Sequence, residues 1–269
     1  YKDHTSNTIF VAFKVKNTKN FFLKDSNIII WTTTPWTIPA NKALAFNSSI
    51  EYSLVEINDL ENFKENKIVV ATNLLDSIIK SCDIKKFKIL KTFNGAEFEG
   101  TICTHPFETL GYNFDVPMLD ARFVTLEQGT GIVHCAPSHG PDDFNLCLKY
   151  SIPSKYTVDN AGYYTSEIPF FTKTHVFKAD PIVIDKLKEL KKLLKNDKLQ
   201  HSYPHSWRSK APLIYRATPQ WFISMQKNSL RDKAIKAIGE TTFYPPKGKE
   251  RLMSMIKDRP DWCVSRQRS

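Results

Sequence analysis

The segment Ile28-Ile-Ile-Trp-Thr-Thr-Thr-Pro-Trp-Thr-Ile-Pro-Ala-Asn41 decides how the rest of the chain is read. Its three isoleucines are β-branched and apolar, so residues 28–34 are predicted to form a buried strand. Pro35 holds Thr34 extended and removes a ladder donor, which predicts that the strand ends there. Three consecutive threonines between Trp31 and Trp36 then present hydroxyls and indoles at a strand end. That chemistry suits a small polar or carbonyl-bearing ligand. On pattern alone, a threonine-rich edge strand with structural prolines fits as well.

Outward from this strand, residues 9–135 read mainly as strands separated by polar turns. Residues 9–15 and 52–57 alternate, 68–71 are a short apolar run, and 129–133 lead into His134; a short helix is predicted over 73–80. This spacing predicts an α+β fold, rich in β-barrel or strongly bent sheet and with peripheral helices, over a parallel βαβ arrangement. Pro141 suits the first position of a helix that carries Asp142 and Asp143 in its first turn. Over 181–195, Val183, Leu187, Leu190 and Leu194 make one apolar stripe, with Asp180 placed to cap. After about Gln200 the composition turns to Pro, Trp, Tyr and Arg, and helical stretches follow near 229–238 and 249–257. The expected division is therefore 1–200 and 201–269.

The chain has 269 residues, 41% of them hydrophobic and 25% charged, enough to bury a full core. A net charge of +10 favours an anionic partner, nucleic acid first. The five cysteines form no C-x-x-C pair, which argues for a reducing compartment and against a disulfide scaffold or metal finger. No apolar run reaches membrane-spanning length. The chain opens without methionine and reads as a piece of something larger.

A second constellation is Gly129-Thr-Gly-Ile-Val-His-Cys-Ala-Pro-Ser-His-Gly-Pro-Asp-Asp143. Gly129 and Gly131 permit close backbone approach, His134 ends a predicted strand, and the two aspartates open a helix. A carboxylate there suits an ammonium group, and a nearby histidine suits shaping or protonating a ligand. The same acids also complement a helix dipole, and the same histidine serves as a bonded core residue. His134, His139 and Asp143 lack matched metal-ligand spacing, so no metal site is expected. No G-x-S-x-G elbow, G-x-G-x-x-G fingerprint or phosphate loop is present.

Together the two stretches resemble the editing domain of isoleucyl-tRNA synthetases. Tyr203-Pro-His-Ser-Trp-Arg, Tyr215-Arg-Ala-Thr-Pro-Gln-Trp-Phe222 and Arg259-Pro-Asp-Trp-Cys-Val-Ser-Arg-Gln-Arg268 fit the same family, where they carry the chain back toward the synthetic domain. The resemblance covers residues from about 9 to 268 and is closer to the bacterial or organellar branch. Leucyl and valyl relatives carry Thr-Arg-Pro where this chain has Thr33-Thr34-Pro35. Some relatives carry cysteines near Ser206 and Ser209, and their absence removes any case for zinc there. The His-x-Gly-His and Lys-Met-Ser-Lys-Ser signatures are missing, so this piece is not expected to activate an amino acid; ATP and magnesium would serve the parent enzyme, and editing needs no cofactor.

The resemblance implies hydrolysis of valine misattached to the 3′ end of isoleucine tRNA, in a bacterial cytoplasm or an organellar matrix, beside the remainder of the parent synthetase. It implies that Asp143 binds the substrate ammonium, and that Thr33, Thr34 and Thr37 offer hydroxyls to the ester, the adenosine or the attacking water. By the same resemblance His134 limits the amino-acid pocket, and Trp36 and Asn41 hold the terminal nucleotide or support the loop. Thr32, Gly131 and Asp142 complete the expected substrate-binding set, and Thr34 is the expected contact to the reacting ester. A non-catalytic tRNA-docking module of the same fold, or editing in a valyl or leucyl relative, are the alternatives.

Overall fold

The computed structural model describes residues 1–58, 63 and 66–265. Among them one sheet contains ten strands: β1 (Lys2–Asn17), β2 (Asn27–Thr32), β3 (Ala43–Phe46), β4 (Glu51–Asn58), β5 (Lys67–Ala71), β6 (Lys86–Asn94), β7 (Ile102–Thr104), β8 (Asp115–Asp120), β9 (Val133–Cys135) and β10 (Leu193–Tyr203). Strand β1 is its spine. It runs antiparallel to β2 along one side, and to β10 and then β7 along the other. Ile9 to Phe13 are apolar without alternation and all buried, because both faces of this strand are covered. Ile28, Ile29 and Ile30 of β2 have no exposed surface, and each contributes roughly 1.5–3 kcal/mol through burial.

The expected large sheet with peripheral helices is present, but the barrel is not closed. The ladder runs β6-β4-β5-β2-β1-β7-β8-β3-β9, and no pairing joins β6 to β9 among the described residues. The two edges explain why. Strand β6 is exposed over almost its whole length and carries Lys86, Lys88 and Lys91, while β9 is only three residues long. Short strands and lysine-bearing edges both resist further pairing.

Helices α1 (Leu75–Ser81) and α2 (Pro141–Lys149) lie where the sequence places them, α2 with Pro141 at its start and both aspartates in its first turn. Helix α3 (Ala179–Glu189) is shorter than expected. Lys191 turns the backbone with φ 55°, and Leu193 enters β10 opposite Val11, so the sheet takes the end of the apolar stripe. Asp180 does not cap; it sits within the first turn and points elsewhere.

Compact units divide at Ala217/Thr218, while residue 200 falls inside β10, which stays paired to β1 as far as Tyr203. The unit Thr218–Ser269 contains α4 (Leu230–Glu240), α5 (Lys247–Lys257) and the short antiparallel pair β11 (Phe222–Ile223) and β12 (Trp262–Cys263). Arg231 donates to the carbonyls of Ile256, Lys257 and Arg259 at 2.7–2.8 Å, satisfying acceptors at the end of α5. Residues 266–268 of the terminal motif lie outside the described residues.

Candidate functional site

Strand β2 stops at Thr32, two residues before the expected end. The Thr34 N–H donates to Thr32 Oγ1 at 3.1 Å, which takes that amide away from the ladder, and Pro35 has no amide to offer. Residues Pro35–Ala40 then form a 3₁₀ segment in which every residue is buried. This turn faces β9 through side chains. Thr37 Oγ1 lies 2.9 Å from His134 Nε2, and Asn41 Nδ2 lies 3.3 Å from His134 Nδ1. His134 is the middle residue of β9, opposite Leu44, one residue short of the strand end where it was expected.

The donors in this network can be assigned in order. Asn41 Nδ2 also donates to the Ala43 carbonyl at 2.9 Å, which fixes the amide and makes His134 Nδ1 an acceptor. His134 Nε2–H therefore donates to Thr37, whose own hydroxyl proton goes to the Thr34 carbonyl at 2.9 Å. Thr34 Oγ1, 3.2 Å away, donates to Thr37 and accepts from Thr32 at 3.1 Å. Every hydroxyl proton of Thr32, Thr34 and Thr37 is committed inside the protein. Thr33 is half-buried and makes no side-chain hydrogen bond among the described residues. Burial, then the neighbouring His139, pushes the His134 imidazole down to about 4, so it is neutral near pH 7.

Asp143 sits at the first turn of α2 and accepts the Ala136 N–H at 2.9 Å, two residues beyond His134. Burial raises its carboxyl to about 6; the Ala136 N–H opposes that rise and Asp142 adds to it. Asp142 itself is exposed. Gly131 has φ +73°, and a Cβ there would come within 2.3 Å of Ala71 Cβ. Its carbonyl accepts Tyr52 Oη at 2.8 Å, so its place is one of close packing. Trp36 is 8% exposed, its ring edge-on to His139 with centroids 4.8 Å apart. Of the two roles expected for Trp36 and Asn41, burial fits support of the turn, completely for Asn41 and for all but the small part of Trp36 that borders a cavity.

Three residues outside the two motifs anchor the turn. Asp180 Oδ1 accepts the Trp36 N–H at 3.0 Å, the Tyr164 hydroxyl donates to the Trp36 carbonyl, and His105 Nε2 donates to the Ile38 carbonyl at 3.1 Å. His105 is buried, stacked on Tyr112 at 4.5 Å, and held down to about 3 by burial, hence neutral. A cavity of about 380 Å³ opens on Thr33, Thr34, Trp36, Asn7, Asp180 and Tyr203 among others; His134 and Asp143 are not in its lining. No grouping of histidine, cysteine and carboxylates able to hold a metal occurs among the described residues. Likewise no helix among them is long and apolar enough to cross a membrane.

Comparison with known proteins places these features in context. Residues 2–269 match the sequence family described as tRNA synthetases class I (I, L, M and V). The chain is 64% identical over 268 residues to the isoleucine--tRNA ligase of Pelagibacter ubique, a match that covers all of this chain and 30% of that protein. Its fold resembles the cytosolic leucyl-tRNA synthetase editing domain of P. knowlesi, with TM-score 0.53, 12% identity, and coverage of 72% of this chain and 97% of that one. The corresponding P. falciparum domain gives TM-score 0.51 at 14% identity, covering 73% and 99%.

Proposed function

The chain belongs to the class I tRNA synthetases (I, L, M and V), and on that premise we propose that it is the editing portion of an isoleucine-specific member, hydrolysing valine from isoleucine tRNA. Isoleucine and valine differ by one methylene, worth only about 1–3 kcal/mol in an apolar pocket, a limit for which isoleucyl-tRNA synthetase is itself the usual illustration. A second site that accepts the smaller product and cuts it restores accuracy. The observation that carries this reading is the 2.9 Å contact between Thr37 and His134, which joins two motifs 97 residues apart into one neutral wall. A rigid, uncharged wall suits a steric choice between two aliphatic side chains.

Asp143 supplies the charge. With a carboxyl near 6 it is ionised at neutral pH and holds the α-ammonium group of the bound amino acid. Thr33 takes the role first expected of Thr34: its hydroxyl proton is uncommitted and so available to the ester or to the attacking water. Water bonds to the carbonyl carbon, the ester C–O bond breaks, a proton passes to the leaving ribose oxygen, and valine departs as its carboxylate with release of a proton. A hydroxyl of the terminal ribose, and not a protein base, assists the water. Residues 218–265 then serve as the stem toward the synthetic domain, and the charge of +10 favours the tRNA. The test is deacylation of valyl- and isoleucyl-tRNA(Ile) by this chain: release of valine with isoleucine spared supports the reading, and neither ester cut while tRNA is still bound favours a docking module.

A further inference from the structure

The threonine turn is fixed by groups that none of the expected site residues include, and one of them, Asp180, borders the same cavity as Thr33 and Thr34. Asp180 approaches from the first turn of α3, its Oδ1 on the Trp36 N–H at 3.0 Å and its Oδ2 accepting Asn7 Nδ2 at 3.3 Å. Tyr164 holds the following peptide unit by donating to the Trp36 carbonyl, so the backbone of Trp36 is tied on both sides. Trp36 is the residue before Thr37, and Thr37 carries the contact to His134. A displaced Trp36 amide therefore displaces the wall itself. Nothing in the fold of α3 requires the carboxylate for helix capping, since the residue flanking the helix is Lys178 and Asp180 is turned onto the neighbouring segment.

We propose that Asp180 is a positioning residue for selectivity: by accepting the Trp36 N–H it sets where Thr37 meets His134, and Asn7 steers its second oxygen. The assignment rests on the editing reading above. Misplacing a site group by about 1 Å costs as much as 10²-fold in rate. Asp180→Ala is accordingly expected to lower valyl-tRNA deacylation by about 10–100-fold, mainly in kcat, and to shift the ratio of valyl to isoleucyl hydrolysis by at least about tenfold. Asp180→Asn keeps an oxygen for the Trp36 N–H and is expected to restore the ratio to within about threefold of the original. Asn7→Ala, which leaves the Trp36 bond intact, is expected to have the smallest effect.

The ratio is the decisive readout, because partial unfolding lowers both hydrolyses together and leaves it unchanged. An unchanged ratio in Asp180→Ala overturns the proposal, and so does an Asp180→Asn variant as impaired as Asp180→Ala. Hydrogen exchange of the Trp36 amide gives an arm independent of activity: at least about tenfold faster in Asp180→Ala, near the original in Asp180→Asn, with β4 protection unchanged. If the unaltered chain cuts neither ester, the editing reading falls. The exchange comparison still decides the anchor in that case, equal exchange in all three proteins overturning it.

Discussion

Residues 34–41 are fixed through their backbone, with Asp180 and Tyr164 on the two ends of Trp36 and His105 on the Ile38 carbonyl, whereas Asp143 meets its surroundings through a carboxylate that accepts the Ala136 N–H. The first region has its hydroxyl protons assigned in one direction and a histidine held neutral; the second has a titratable group poised about one unit below neutral pH. Rigidity and neutrality suit discrimination by shape, and an ionisable carboxylate suits recognition of charge. On the editing reading proposed above, the two tasks fall to two differently built segments.

Asp143→Ala removes the only charge proposed to meet the substrate, and valyl-tRNA deacylation should fall by about 10²–10³-fold in single-turnover assays, the order expected when one partner of a buried charge pair is lost. Unchanged rates would move the ammonium site elsewhere. His134→Ala should act on choice rather than speed: isoleucyl-tRNA becomes a substrate, and the valyl-to-isoleucyl preference drops by about 10–100-fold. A variant that still spares isoleucine would place the steric wall away from β9.

The pH profile separates the regions without mutation. Below about 6 the Asp143 carboxylate takes a proton, so kcat/KM should fall about tenfold for each further unit, while the ratio between the two esters stays level to about pH 5. Stability should move in a different way. His105, His134 and His139 all lie below the ordinary histidine value in the folded chain, to about 3, 4 and 4, with burial the leading cause. Their contribution is complete above about 6.5 and is lost as the pH falls through about 4, or about 3 for His105, because the unfolded chain takes up the protons first. Asp143 and Asp180, both raised by burial, oppose them as the pH falls, but the three imidazoles outweigh the two carboxyls. The urea midpoint at pH 5 should therefore lie below that at pH 7, and His134→Ala should reduce the difference.

Much of this was legible in the sequence because it is local. Ile28 to Ile30 announce a buried strand, and Pro141 with two acids announces the start of α2. The pairing of the threonine run with the His134 segment was legible only through family resemblance, since residues 97 apart carry no mark of contact. Asp180 read as a helix cap, the ordinary use of such a residue, and His105 and Tyr164 carried no signal at all. Each acts on a backbone amide or carbonyl, and backbone groups have the same chemistry at every position. The end of α3 was hidden for a related reason: the stripe of Val183, Leu187 and Leu190 continues evenly to Leu194, while Leu193 pairs with Val11, far away in the chain, and draws this stretch into β10.

The hydroxyls of Thr32, Thr34 and Thr37 form a chain that meets His134 at Thr37. Thr32, Thr34, Thr37 and His134 carry no charge until His134 protonates near pH 4, while the Asp143 carboxyl is already half neutral near 6. If the chain edits as proposed, mild acidification slows the clearing of wrong products without loosening the choice between them and the right one.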